Sequence, residues 1–290
     1  AEVGYPVVVK PDNGVGAAAA MAVLEATDLV HGPIEGLFTI DEETGMTGAN
    51  ALEPGVLKGD ILINMDSETE GELYVGCAGG IDTCGYFTPK FEDVPAGSKA
   101  FQLIVKGLKG GHSGMDIILG RANANKVMNA LLLKATEKFN ARVADIQGGS
   151  LRNAIPRESF VTITVPEAKA EELLAYVPEF EAVVKEQFAA VEPEMSITVV
   201  PAEMPAKVID KETIAKLIEA VAKYPNGVIA MSKDFEGTVE TSSNLAIVKL
   251  VDGQIMTASL QRSLVDASKD ELAAEMRKVL ESCGARAEST

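Results

Sequence analysis

The sequence holds only two histidines, His31 and His112, among its 290 residues. Zinc sites commonly take about four ligands, imidazoles among them, so these residues alone leave such a site short of its usual donors. Basic side chains are also scarce, with Lys and Arg totalling 26 against 43 Asp and Glu, a formal net charge of -17. That balance argues against a nucleic-acid backbone or an anionic membrane as partner. The cysteines, Cys77, Cys84 and Cys283, are odd in number and lack zinc-knuckle spacing, which points to free thiols in a reducing cytoplasm. No apolar run reaches the length of a membrane span, and the first residues carry no signal-peptide pattern. Tryptophan is absent, aromatics are few and glycine is abundant, a composition that suits an α/β protein with tight βα turns.

A chain of this length can bury a substantial core and can hold two domains. "VGAAAAMAVLEAT" (15–27) is rich in strong helix formers and opens directly after "PDNG". The apolar runs "IEGLFTI" (34–40) and "DILINMD" (60–66) read as strands, and helix alternating with short apolar strands is the pattern of a parallel or mixed sheet. "GELYVGCAGG" adds a strand near an edge. The polar "FEDVPAGSKA" suits a boundary, giving an α/β sheet domain over 1–95 and a second domain over 96–290. In the latter, strand 101–108, helix 121–139, strands 142–147 and 159–165, helix 169–189 and strand 195–200 follow the βαββαβ order of a ferredoxin-like fold. A helix at 211–222, strands at 240–250 and 254–261 and a helix at 269–282 repeat part of that layout. An enlarged or duplicated ferredoxin-like module is therefore expected, with surfaces that a second subunit would cover.

Acidic residues fall beside the expected strand ends: Asp12 in "KPDNGVG", Glu42 and Glu43 after "LFTI", and Asp66 in "LINMDSETE". Open α/β sheets collect ligands at such ends. Crowded carboxylates resist common ionisation unless a cation offsets them. They are thus either solvated loop acids or a divalent-metal site. In the latter, one of the adjacent glutamates binds metal and the other takes a proton from water. Asp41 reads as a turn or supporting residue. His112, in the glycine-rich "KGLKGGHSGMD", is either a solvated loop histidine or a donor to a developing oxyanion. His31 has a structural or solvated reading. Arg152, Asn153 and Arg157 in "GGSLRNAIPRE" and Arg262 in "LQRSLVD" are surface residues or candidates for gripping a substrate carboxylate or amide.

These motifs resemble the aminoacyl-histidine (Xaa-His) dipeptidases, within the dinuclear zinc metallopeptidases related to carboxypeptidase G and aminoacylase. The likeness runs along essentially the whole chain and is strongest in "PDNGVG", "HGPIEGLFTIDEETGMTGA", "LINMDSETEGELYVGCAGG", "KGLKGGHSGMDIILGRANANK" and "GGSLRNAIPRE". The resemblance implies a partial catalytic domain over 1–95 and a lid and dimerisation domain over 96–290. Asp12 would bridge two Zn2+ ions, with Mn2+ or Co2+ as substitutes, while Glu43 and Asp66 would each bind one and Glu42 would be the general base. His112 would reach from the lid toward the tetrahedral intermediate, in a dimer from a neighbouring subunit, and Asn153 would lie near substrate. The activity implied is cytoplasmic hydrolysis of small Xaa-His dipeptides by a homodimer. Another peptidase or deacylase of the superfamily is one alternative, and a non-catalytic binding or assembly module is another. The family also carries a His-x-Asp motif upstream of the bridging aspartate and a further histidine late in its catalytic domain. Neither is present here, since His31 follows Asp12. The expectation is an internal piece of a longer enzyme, weak or inactive by itself.

Overall fold

An alanine-rich helix and three short apolar strands organise the first part of the chain. The computed structural model describes residues 5–9, 15–41, 46–65, 71–72 and 76–290, divided into the units Ala1–Gly76 and Cys77–Thr290. The first unit contains β1 (Tyr5–Val9), α1 (Val15–Glu25), β2 (Ile34–Phe38), the short α2 (Thr47–Asn50) and β3 (Ile63–Asn64). Its sheet has the order β2-β1-β3, and both pairings are parallel. Parallel neighbours need a crossover, and α1 supplies it between β1 and β2. Ala20 is buried, with Ala17, Ile34 and Met65 packed on it. Phe38 and Ile63 stay 47% and 48% exposed, so apolar strand residues remain uncovered by the described chain.

The second unit begins with β4 (Gly79–Phe87), β5 (Phe91–Asp93), β6 (Ser98–Lys106) and β7 (Gly111–His112). After a 3-10 turn at Ile117–Leu119 come α3 (Ala124–Phe139), β8 (Arg142–Gly148), β9 (Ala154–Ile155), β10 (Ser159–Pro166), α4 (Glu167–Gln187) and β11 (Ser196–Pro201). Then follow β12 (Lys207–Ile209), α5 (Lys211–Lys223), β13 (Gly227–Met231), β14 (Val239–Val251), β15 (Gln254–Ser263), α6 (Asp266–Ser282) and β16 (Arg286–Ser289). One large sheet runs β11-β6-β10-β8-β14-β15-β4-β16, with β13 also on β14. Every pairing in it is antiparallel.

Helices lie side by side in the order α4, α3, α5, α6, with α3 packed on β6, β8, β10 and β14 and α6 on β4, β15 and β16. One core joins Leu103, Leu131, Ile163 and Leu173 to Leu245, Ile255, Met276 and Leu280. Each such side chain contributes about 1.5–3 kcal/mol of hydrophobic stabilisation. Asn123 caps α3, its side chain accepting from the Asn125 and Lys126 amides. Asp210 caps α5 by accepting from the Thr213 amide.

Two expectations need correction. The division falls after Gly76 rather than near residue 95, because β4 pairs with β15 and β16 and so belongs with the second unit. Of the strand expected in "GELYVGCAGG", residues 73–75 lie outside the described residues, 76–78 are not in a strand, and β4 begins at Gly79, where alternating burial against α6 rewards an extended chain. The apolar runs at 34–40 and 101–108 do contribute to different sheets. The architecture is an α/β unit followed by a separate β-rich unit with helices.

Candidate functional site

The proposed metal-site residues Asp12, Glu42, Glu43 and Asp66 lie outside the described residues. Their chain context is nevertheless constrained. Register pairs Val9 with Phe38 and Val8 with Asn64 in parallel strands, so the carboxyl ends of β1, β2 and β3 share one edge of the sheet. Asp12, Glu42–Glu43 and Asp66 each follow one of these ends within five residues in sequence. Before Glu42, Asp41 adopts a left-handed conformation with φ 56°. Its carboxylate accepts from Thr47 Oγ1 at 2.7 Å, and its carbonyl accepts from the Met46 amide at 2.7 Å. It is a turn residue. Among the described residues, no three His, Cys, Asp or Glu side chains form a metal-sized group.

The second unit draws the other candidates together. Glu192, buried, accepts from the amides of Lys109 at 2.8 Å and Ala122 at 3.0 Å, pinning the glycine-rich loop at both ends. Gly111 has φ 138°, and a Cβ there would lie 2.5 Å from both Arg121 Nη1 and Asp116 Oδ2. Only glycine fits that close approach. Asp116 accepts from the His112 amide at 2.8 Å, and Arg121 stands 3.6 Å from its carboxylate.

His112 Nδ1 accepts from the amides of Gly114 and Met115, each at 3.2 Å. Two donors facing Nδ1 place the proton on Nε2, the tautomer in which that nitrogen is the donor. The pairing of β7 with β9 sets His112 against Ala154, and the Ser113 amide donates to the Asn153 carbonyl at 2.8 Å. His112 and Asn153, distant in sequence, are thereby neighbours. A groove of about 830 Å³ beside them is lined by His112, Gln147, Asn153, Arg157, Phe160 and Lys249 among others, a size suited to a small ligand.

Arg262, on β15, reaches the same place. A Cβ added at Gly114 would lie 3.0 Å from His112 Cε1 and 3.4 Å from Arg262 Nε, so the two side chains flank one glycine. Burial, followed by the neighbouring Arg152, lowers the Arg262 pKa, with Asp82 and Cys77 opposing. Arg152 is ion-paired to Asp82. Arg157 has a different task, since its Nε donates to the Leu108 carbonyl at 3.1 Å and braces the loop. His31 is exposed, with Nδ1 2.6 Å from the Gly32 carbonyl. All three cysteines are free. Sequence reasoning missed Asp82. The one available signal was an acid inside an otherwise uncharged strand, "GGIDTCGYF".

A family model described as a peptidase dimerisation domain matches residues 103–192. The chain is 43% identical over 281 residues to a cytosol non-specific dipeptidase of Escherichia coli (strain K12), covering 96% of this chain and 57% of that protein. It also matches the crystal structure of an aminoacylhistidine dipeptidase from Vibrio alginolyticus with a TM-score of 0.80 and 37% identity. That match covers 100% of this chain and 66% of the other. The 290 residues thus span roughly three-fifths of the length of these relatives.

Proposed function

Because the chain belongs to the family of the aminoacyl-histidine dipeptidases, we propose that the whole protein is a cytoplasmic, zinc-dependent dipeptidase acting on Xaa-His dipeptides. The observation that carries this reading is that His112 and Asn153, from separate segments, line one groove, with Arg262 flanking Gly114 beside His112. Asp12, Glu43 and Asp66 are the residues that would hold the metal. Their oxygen donors suit divalent ions but include no imidazole. Such ions, when bound, polarise a peptide carbonyl and acidify a water. Glu42 takes the proton from that water and returns it to the leaving amine. The Nε2–H of His112 donates to the developing oxyanion, while Asn153 and Arg262 hold the substrate.

The second unit is the lid and dimerisation part in this reading, and we infer that it contains two ferredoxin-like modules. β6, α3, β8, β10, α4 and β11 follow the βαββαβ order, and their place in the sheet is β11-β6-β10-β8. β4, α5, β14, β15, α6 and β16 repeat that order, and their sheet sequence β14-β15-β4-β16 mirrors the first. The first module is then an insertion between β4 and α5 of the second. Homodimerisation through this unit is proposed in line with the dimerisation-domain match.

The function is tested on the full-length protein by zinc titration and by initial rates on an Xaa-His dipeptide. Glu42→Gln is expected to lose about 100-fold or more in kcat with zinc binding intact, and Glu43→Gln to weaken zinc binding. Near-normal turnover in Glu42→Gln would remove that residue as the base. No zinc-dependent dipeptide hydrolysis by the wild type would end the dipeptidase reading.

A further inference from the structure

Two guanidinium groups, Arg152 and Arg262, stand at the His112 site, and one carboxylate, Asp82, stands with them. Asp82 is held rigidly, because β4 pairs with β15 and its main chain exchanges two hydrogen bonds of 3.0 Å with Thr290. Its side chain is 20% exposed and ion-paired to Arg152, whose own side chain is 47% exposed. Arg262 is the more sequestered arginine. Its Nε is buried without a hydrogen-bond partner, and among the described residues it makes no ion pair. Among the described residues, Asp82 is the one carboxylate that acts on both arginines, and a half-buried charge only partly offset is costly, so the cluster has room for an anion.

We propose that Asp82 sets the charge selectivity of the substrate site: as one carboxylate set against two arginines it leaves the cluster a single net positive charge, so the site takes a single carboxylate and disfavours dianionic peptides. This rests on the dipeptidase reading and goes beyond it by assigning a specificity-determining role to a residue of β4. Asp82 acts here as a positioning residue, through its charge on both arginines, and touches no reacting atom. Removing it frees a second positive charge within reach of a bound ligand and adds its own lost repulsion toward acidic side chains.

The test uses full-length protein and two dipeptides differing in their second residue, Xaa-Ala and Xaa-Asp. Asp82→Asn is expected to raise the ratio of kcat/KM for Xaa-Asp over Xaa-Ala by about tenfold. Adding Arg152→Gln to that variant should return the ratio to the wild-type value, a rescue that a merely structural role for Asp82 would not produce. The double variant should leave KM for Xaa-Ala within about twofold, and Arg262→Gln should raise it by about tenfold or more. Arg152→Gln alone strands the Asp82 carboxylate beside Arg262 and should lower the Xaa-Asp over Xaa-Ala ratio. An unchanged ratio in a folded Asp82→Asn variant would overturn the proposal. If that variant fails to fold, the decision falls to Arg152→Gln, and an unchanged Xaa-Asp over Xaa-Ala ratio in it would overturn the proposal. Should the wild type hydrolyse no dipeptide, calorimetric titration with acetate and succinate separates the two questions. Tighter succinate binding by Asp82→Asn than by wild type supports the charge assignment, and equal binding overturns it.

Discussion

Gly149→Ala tests how the large sheet of the second unit is joined at its middle. Gly149 follows β8 with φ 67°, and a Cβ there would lie 1.8 Å from the Ala246 carbonyl oxygen. Ala246 sits in the bulge where the β14–β15 register shifts between Leu245 and Ile247. The same carbonyl accepts from Asn125 Nδ2 at 3.2 Å, and the Gly149 amide donates to the Glu158 carbonyl at 3.2 Å. The left-handed conformation by itself costs a non-glycine residue about 1–2 kcal/mol. Relieving the clash moves main chain by more than an ångström and breaks one or both of those bonds, adding about 1–3 kcal/mol for each buried group left unpaired. The expected loss is therefore about 2–8 kcal/mol. Gly237→Ala is the control, since Gly237 has φ 73° with nothing within 4 Å of the added Cβ, and only the conformational cost applies. Urea denaturation of the 290-residue chain and both variants, followed by circular dichroism, measures the difference. Equal losses for the two variants would refute the argument that close approach, rather than backbone conformation, demands Gly149.

Further outcomes follow from the caps and from pH. Burial alone raises the Asp210 pKa, but the amides of Thr213 and Lys90 outweigh it and leave the carboxyl below its ordinary value. Its stabilisation is complete above the unfolded carboxylate pKa of about 3.9 and is lost as pH falls through the lower folded value. Asp210→Ala should cost about 0.5–2 kcal/mol at neutral pH, and denaturation curves from pH 6 to about pH 2 should show a shallower acid loss than wild type. Lys126 Nζ donates to the carbonyls of Val221 at 2.6 Å and Tyr224 at 2.9 Å, closing the end of α5. Lys126→Met should lower stability by about 1–2 kcal/mol and speed amide exchange there, read by hydrogen–deuterium exchange.

Legibility in the sequence followed the range of the interactions involved. α3 and α5 stand within three residues of their expected bounds, because periodic apolar faces and side-chain caps are local signals. β16 was invisible: "RAES" has no apolar alternation and is a strand through its pairing with β4. β13 hides behind Pro225 and Asn226 for the same reason, its extended form resting on β14. At the site, glycine density flagged the His112 loop and polar density flagged Arg152 and Asn153. Asp82 carried no such mark, because its partner lies 70 residues further along the chain. The asparagines of the seam, Asn123 and Asn125, also passed unnoticed. Their partners, Leu245 and Ala246, are more than 100 residues away.

The pairing of β4 with β15 has a consequence for biogenesis. Gly85 waits for Thr257 across 172 residues of chain, so at a synthesis rate of about 5–20 residues per second β4 is unpaired on the ribosome for roughly 10–35 s. β6 through β11 have all their mutual partners within that interval and can condense first. The stretch of nascent chain most open to mispairing with a neighbouring polypeptide is therefore β4, an early segment whose partners are made late.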